Sequence, residues 1–209
     1  MGINTAGLVP SSRSVEGVVE MTLDATQNYQ KPFTEERLFG WHAALFPTGY
    51  SGMHKIEVAQ YRSEEMQVAS GAMGKEKVHY EAVAARDVKA EMDKLLFWVN
   101  DNKVATDSVL KSAIAHFWFI IIHPFDDGNG RIARAISDML LARSENAAER
   151  FYSLSKQILA ERNAYYEVLK KSQHSSDITE WLVWFLNCLE RALRETEVSM
   201  QHILLRNDE

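Results

Sequence analysis

Cysteine occurs once in the 209 residues and proline only four times. A lone thiol, Cys188, cannot close an intramolecular disulfide, which fits a reducing, cytoplasmic setting. It sits among Trp181, Trp184, Phe185 and Leu189, so it reads as an inert packed thiol rather than a nucleophile. Scarce proline and the lack of a low-complexity tract leave little room for a linker. The apolar runs are too short or too interrupted to span a bilayer, and no signal peptide is visible. Basic excess is missing too. Lys and Arg total 23 against 29 Asp and Glu, a net charge of −6 and a pI near 5.7. That balance argues against nucleic acid or an acidic membrane surface as a partner, and no helix pair with basic flanks is present. What remains is a chain 46% hydrophobic, long enough for one sizeable core, and expected to form a single domain over residues 1–209.

Residues 1–10 lack periodicity and read as a loose lead-in. A helix is expected over about 11–28, with Ser11 or Ser12 as its cap and Glu16 in its first turns. Thr34-Glu35-Glu36-Arg37 opens a second, with Leu38, Trp41, Leu45 and Phe46 on its apolar face. His42 and His54 read as local polar or core residues, since nothing near them has metal-ligand spacing. Short extended runs flank the glycines of Ser70–Lys75, so a hairpin is expected within 64–82. An amphipathic helix follows from Asp87. Asp107 then caps an apolar helix over 108–122 with Val109, Leu110, Ala113, Ile114, Phe117, Trp118 and Ile121 inward. His116 reads as a core histidine. After residue 128 another helix turns Ile132, Ala135, Ile136, Met139 and Leu140 inward, so 105–143 is a helix–loop–helix core. A single helix over about 155–172 and a Trp- and Phe-rich helix from Asp177 complete a mainly α fold.

The chemistry concentrates in His123-Pro124-Phe125-Asp126-Asp127-Gly128-Asn129-Gly130-Arg131-Ile132-Ala133-Arg134. Gly128 and Gly130 let the chain turn tightly and bring N–H groups close to a ligand. The next helix begins there, so its unpaired amides and positive dipole end face the same space, a cradle for phosphate. Arg131 and Arg134 add fixed positive charge on one helix face. Asp127 is a hard oxygen ligand suited to Mg²⁺, and His123 is the group able to carry a proton near neutral pH. Phe125 reads as a packing anchor and Asp126 as solvated. Each feature alone has an ordinary structural explanation; together they are the parts for phosphoryl or nucleotidyl transfer.

This stretch resembles the Fic family signature, His-x-Phe-x-(Asp/Glu)-Gly-Asn-Gly-Arg-x-x-Arg, at every specified position. Upstream, Ser12-Arg13-Ser14-Val15-Glu16-Gly17 resembles that family's inhibitory motif, (Ser/Thr)-x-x-x-Glu-(Gly/Asn), in the class with an N-terminal inhibitory helix. The resemblance implies a Fic-type helical bundle with a short β-hairpin flap. It implies AMP transfer from ATP to a Ser, Thr or Tyr hydroxyl of a target protein, with His123 as base and Mg²⁺ on Asp127. Gly128, Asn129 (backbone and side chain) and Gly130 would cradle the α- and β-phosphates, Arg131 would hold the β-phosphate and Arg134 the γ-phosphate. Val78, His79 and Tyr80 of the flap would cover the nucleotide, and Tyr165 and Tyr166 would flank the adenine. Gln173 stands where relatives carry an Asn on the base, and Ala82-Val83-Ala84-Ala85 replaces prolines that commonly follow the flap. Tyr61-Arg62 resembles a structural aromatic–Arg pair. Ser12 and Glu16 would be inhibitory, Glu16 pairing with Arg134 in place of the γ-phosphate. A homodimer would also be in keeping with the family. Two other outcomes stay open: removal of AMP from a modified protein at the same site, and a non-catalytic nucleotide-binding module.

Overall fold

The computed structural model describes residues 13–70, 77–103 and 105–207. The expected lead-in and Ser12 lie outside them. The fold is mainly α, with eight helices and two small antiparallel hairpins among the described residues. Helix α1 (Arg13–Gln27) packs on α2 (Glu35–Leu45) and on α5 (Asn129–Glu145). The Thr34 hydroxyl caps α2 by accepting from the Arg37 amide at 3.2 Å. The α1–α2 contact is closed by Asp24. Its carboxylate accepts from Arg37 Nε and Trp41 Nε1, each at 2.7 Å, and from Asn28 Nδ2 at 2.8 Å. At Gly17 the helices nearly touch: a Cβ there would lie 1.8 Å from the Ala44 carbonyl oxygen.

Two strands, β1 (Tyr50–Ser51) and β2 (His54–Lys55), form a small hairpin that the sequence reading missed. Strands β3 (Gln67–Ser70) and β4 (Lys77–Glu81) form the expected flap, with a register shift between Val68 and Ala69. A 3₁₀ turn over Ala85–Asp87 leads into α3 (Val88–Asn100).

Helix α4 (Ser108–Ile122) begins as expected, its Asp107 carboxylate accepting from the Val109 and Leu110 amides at 2.9 and 3.1 Å. It lies against α3, α5 and α8 (Thr179–Asn207). Its deepest face is Ser112, Ala113, Ala115, His116, Phe119, Ile120 and Ile122; Phe117, Trp118 and Ile121 are only partly buried. A helix apolar nearly all round does not announce its inward direction, and here small residues permit the close approach of its neighbours. The expected 155–172 helix is two, α6 (Leu154–Ala160) and α7 (Arg162–Ser172). No Gly or Pro marks the break. Glu161 sits at it, paired to Arg191 of α8 at 2.6 and 2.5 Å. Cys188 is buried, and burial pushes its thiol up to about 12, which keeps it protonated.

Candidate active site

α4 ends on His123, whose backbone is left-handed (φ 51°, ψ 60°). An L residue there is strained by about 1–2 kcal/mol, so neighbours must hold it. Arg62 does so. This buried guanidinium donates from Nε to the His123 carbonyl at 2.8 Å and from Nη2 to those of Ile122 at 3.3 Å and Val83. The Arg62 amide donates to the Pro124 carbonyl at 2.9 Å. One side chain thus caps α4 and ties it to the exit of the flap. The His123 ring donates from Nδ1 to the Ile120 carbonyl at 3.2 Å, which makes Nε2 the basic nitrogen. Burial, with the Arg62 charge in support, pushes His123 down to about 4, so the ring is neutral at physiological pH.

The loop beyond is closed by Asn129. Its Oδ1 accepts from the Phe125 amide at 3.0 Å and its Nδ2 donates to the Phe125 carbonyl at 2.7 Å. Both polar atoms of the amide thus hold the loop, and Nδ2 keeps a second hydrogen beyond that bond. Phe125 is fully buried beneath. Gly128 caps α5 with φ 87°, and a Cβ there would meet Phe46 at 2.9 Å, so both backbone and space demand glycine. At Gly130 a Cβ would lie 3.5 Å from Arg134 Nη1, which shows the guanidinium folded back over the start of α5. Arg131 lies over the Phe46 ring at 4.8 Å and 3.7 Å from Asp127 Oδ1. Helix α5 therefore starts beside Asp127, with Arg131 near that carboxylate and Arg134 over Gly130.

Several of the residues that hold this arrangement went unread in the sequence. The Asp127 carboxylate accepts from the Ser51 hydroxyl and the Gly128 amide. Asp126, read as solvated, accepts from the Glu57 amide at 2.9 Å. His42 Nε2 is 3.2 Å from the Asp127 carbonyl. The contacts from Ser51, Glu57 and His42 span 69 to 85 residues, so no local pattern carries them.

The other expected residues scatter more. Strand β4 carries Val78, His79 and Tyr80, of which the backbone alone is described. It packs on α7. Tyr165 is 5% exposed, and its hydroxyl donates to His116 Nε2 at 3.1 Å, so its ring belongs to the core rather than to an open base pocket. Tyr166 is partly buried, with Arg162 over its ring at 5.6 Å. Arg134 lies within electrostatic reach of both tyrosines, so α7 runs near the start of α5. Glu16 is exposed in the first turn of α1.

A profile of the Fic/DOC family matches residues 32–141. The chain belongs to the Fic/DOC family. A curated Fic relative, "Protein adenylyltransferase fic-1" of Caenorhabditis briggsae, is 31% identical over 104 residues, covering 45% of this chain and 20% of that protein. "Protein adenylyltransferase Fic" of Nematostella vectensis is 27% identical over 143 residues, 67% of this chain and 29% of that one. The chain thus spans under a third of the length of these relatives. A crystal structure of a Fic family protein from Desulfovibrio desulfuricans G20 superposes with a TM-score of 0.72 at 26% identity, covering 93% of this chain and 56% of that one.

Among the described residues no group of three His, Cys, Asp or Glu is arranged to hold a metal, and no described helix is long and apolar enough to cross a membrane. One half-exposed carboxylate beside a phosphate cradle nonetheless suits Mg²⁺, which is commonly shared between one or two carboxylates, water and the substrate's phosphates.

Proposed function

We propose that this chain transfers AMP from ATP to a Ser, Thr or Tyr hydroxyl of a target protein. The observation that supports it most is the loop between α4 and α5. Locked by Arg62 and Asn129, it sets a neutral imidazole beside a half-exposed carboxylate and an arginine-flanked helix start. The relatives are named protein adenylyltransferases, which agrees with that chemistry.

In the reaction, His123 Nε2 accepts the proton of the target hydroxyl as its oxygen attacks the α-phosphorus. The bond from the α-phosphorus to the bridging oxygen breaks, and pyrophosphate leaves. The amides at Gly128, Asn129 and Gly130 face the phosphate oxygens, with Arg131 on the β- and Arg134 on the γ-phosphate. Asp127 would hold Mg²⁺, which when bound neutralises charge on the leaving group. Triphosphate charge beside His123 raises its basicity. The target is admitted along the β3–β4 hairpin by strand addition. Tyr166, more open than Tyr165, is the base-side candidate.

Inhibition is assigned to Glu16 acting on Arg134. Support comes from α1 lying on α5, the helix of Arg134, with Gly17 seated on Ala44 next to Glu16. Displacing one charge-assisted phosphate contact costs about 1.5–3 kcal/mol. Incubation with labelled ATP and cell lysate should show weak labelling by the intact chain and strong labelling by Glu16→Gly. Equal labelling by both would remove the inhibitory assignment, and no labelling by either would remove the transferase reading.

A further inference from the structure

His42 is wholly buried on α2, and both nitrogens of its ring are spent on backbone of other segments. The Ala59 amide donates to Nδ1 at 3.1 Å, so Nδ1 carries the lone pair and Nε2 the proton. Nε2–H then donates to the Asp127 carbonyl at 3.2 Å. The ring lies flat on Phe125, with centroids 4.0 Å apart and 9° between planes. Packing alone is satisfied by the stack. The donor goes further, because the Asp127 carbonyl belongs to the peptide that joins the candidate metal ligand to Gly128. Rotating that peptide moves the Gly128 N–H, and through the bond that N–H donates to Oδ1 it redirects the Asp127 carboxylate. The second carboxylate oxygen is held from the β1–β2 hairpin by Ser51. Ala59, at the other edge of the ring, is itself in a left-handed conformation (φ 57°), so the imidazole joins a strained residue to the loop.

We propose that His42 is a positioning residue for the transfer reaction. Its Nε2–H sets the Asp127–Gly128 peptide plane, and through it the direction of the Asp127 carboxylate and the first amides of the cradle. This rests on the AMP-transfer reading above.

Three substitutions in a Glu16→Gly background separate positioning from packing. His42→Gln places a carboxamide N–H where Nε2 stood. His42→Asn offers an acceptor to Ala59 only, and His42→Phe keeps the stack alone. With rates normalised to the folded fraction, His42→Gln should keep kcat within about threefold, while His42→Asn and His42→Phe lose about tenfold or more, since small misplacements at a reacting centre are costly. KM for ATP should move less than kcat. Rates that follow Tm across the three, or His42→Asn matching His42→Gln, would overturn the proposal. Should the Glu16→Gly parent transfer no AMP, the transferase reading fails by itself. Calorimetric affinity for ATP with Mg²⁺ then decides on His42: the same ranking supports the clamp, and equal affinities reject it.

Discussion

Loop 123–130 and the α7 segment around Tyr165 and Tyr166, the two halves of the candidate site, are held in opposite ways. In the loop, the contacts that hold His123 and the turn fall on the backbone: Arg62 on the His123 carbonyl, Asn129 on both polar groups of Phe125, His42 on the Asp127 carbonyl. The Asp126 and Asp127 carboxylates, by contrast, are bonded as side chains. In α7 they fall on the candidate side chains themselves, with Tyr165 bonded to His116 and Tyr166 under Arg162. A frame built on backbone tolerates loss of the side chain that acts. A frame built from the acting side chain does not. Substitutions in the loop should therefore hit activity before stability, and those at Tyr165 the reverse.

The largest effect tests the first half of that contrast. His123→Ala in the Glu16→Gly background should lower AMP transfer by about 10²–10⁴-fold, the usual worth of a positioned base. Tm should barely move, because Arg62 holds the backbone and not the ring. The pH profile carries a second reading. Burial and Arg62 lower the His123 value while Asp127 opposes them, to about 4 in the free protein. The base is thus lost as pH falls through that region, and the acid limb of kcat/KM should lie well below the 6.5 of an ordinary histidine. A limb near 6.5 would show the ring in a wetter setting than the structure gives it.

Gly128→Ala strikes frame and function together. The φ of 87° and the 2.9 Å approach to Phe46 leave a Cβ nowhere to go. The start of α5 must shift, and a loss of about 100-fold in transfer should accompany a lower Tm. Gly17→Ala is a milder break at the outer wall. The Ala44 oxygen lies 1.8 Å from the added Cβ, so α1 must move off α2. Asp24 still pins its C-terminal half to Arg37 and Trp41. If Glu16 inhibits from its place on α1, labelling by the otherwise intact chain should rise about severalfold, less than with Glu16→Gly. Unchanged labelling with a lowered Tm would separate the seat of α1 from inhibition.

The same contrast explains what could be read from the chain beforehand. The loop's parts are contiguous from His123 to Arg134, so glycines, helix start and charges could be placed from spacing alone, as could the caps at Thr34 and Asp107. Its supports could not. His42, Ser51 and Glu57 come to the loop from far along the chain, and a histidine beside Trp41 on an apolar face looks like any core residue. The break at Glu161 was hidden for a related reason: a partner on α8 marks it, and no local breaker does. Tyr165 and Tyr166 were visible as a pair, but sequence does not say which ring faces inward.

Tyr165→Phe should give the smallest effect and tests the second half of the contrast. Ser137 Oγ donates to the Ala133 carbonyl at 3.1 Å, so His116 Nδ1–H must donate to Ser137 Oγ at 2.9 Å and Nε2 must accept from Tyr165. Removing that hydroxyl leaves a buried lone pair unpaired and should cost about 1–3 kcal/mol, with kcat unchanged. The pH dependence follows from His116. Burial, with Arg134's charge beside it, pushes its value down to about 3. The unfolded chain takes up the proton near 6.5 and the folded one does not, so this contribution to stability is whole above about 6.5 and declines as pH falls toward 3. Protonating Nε2 in the intact protein reverses the Tyr165 bond, Nε2–H then donating to the phenol oxygen. The stability gap between Tyr165→Phe and the parent should therefore be present at neutral pH and persist in acid. A gap near zero at neutral pH would mean that the hydroxyl does not serve the imidazole.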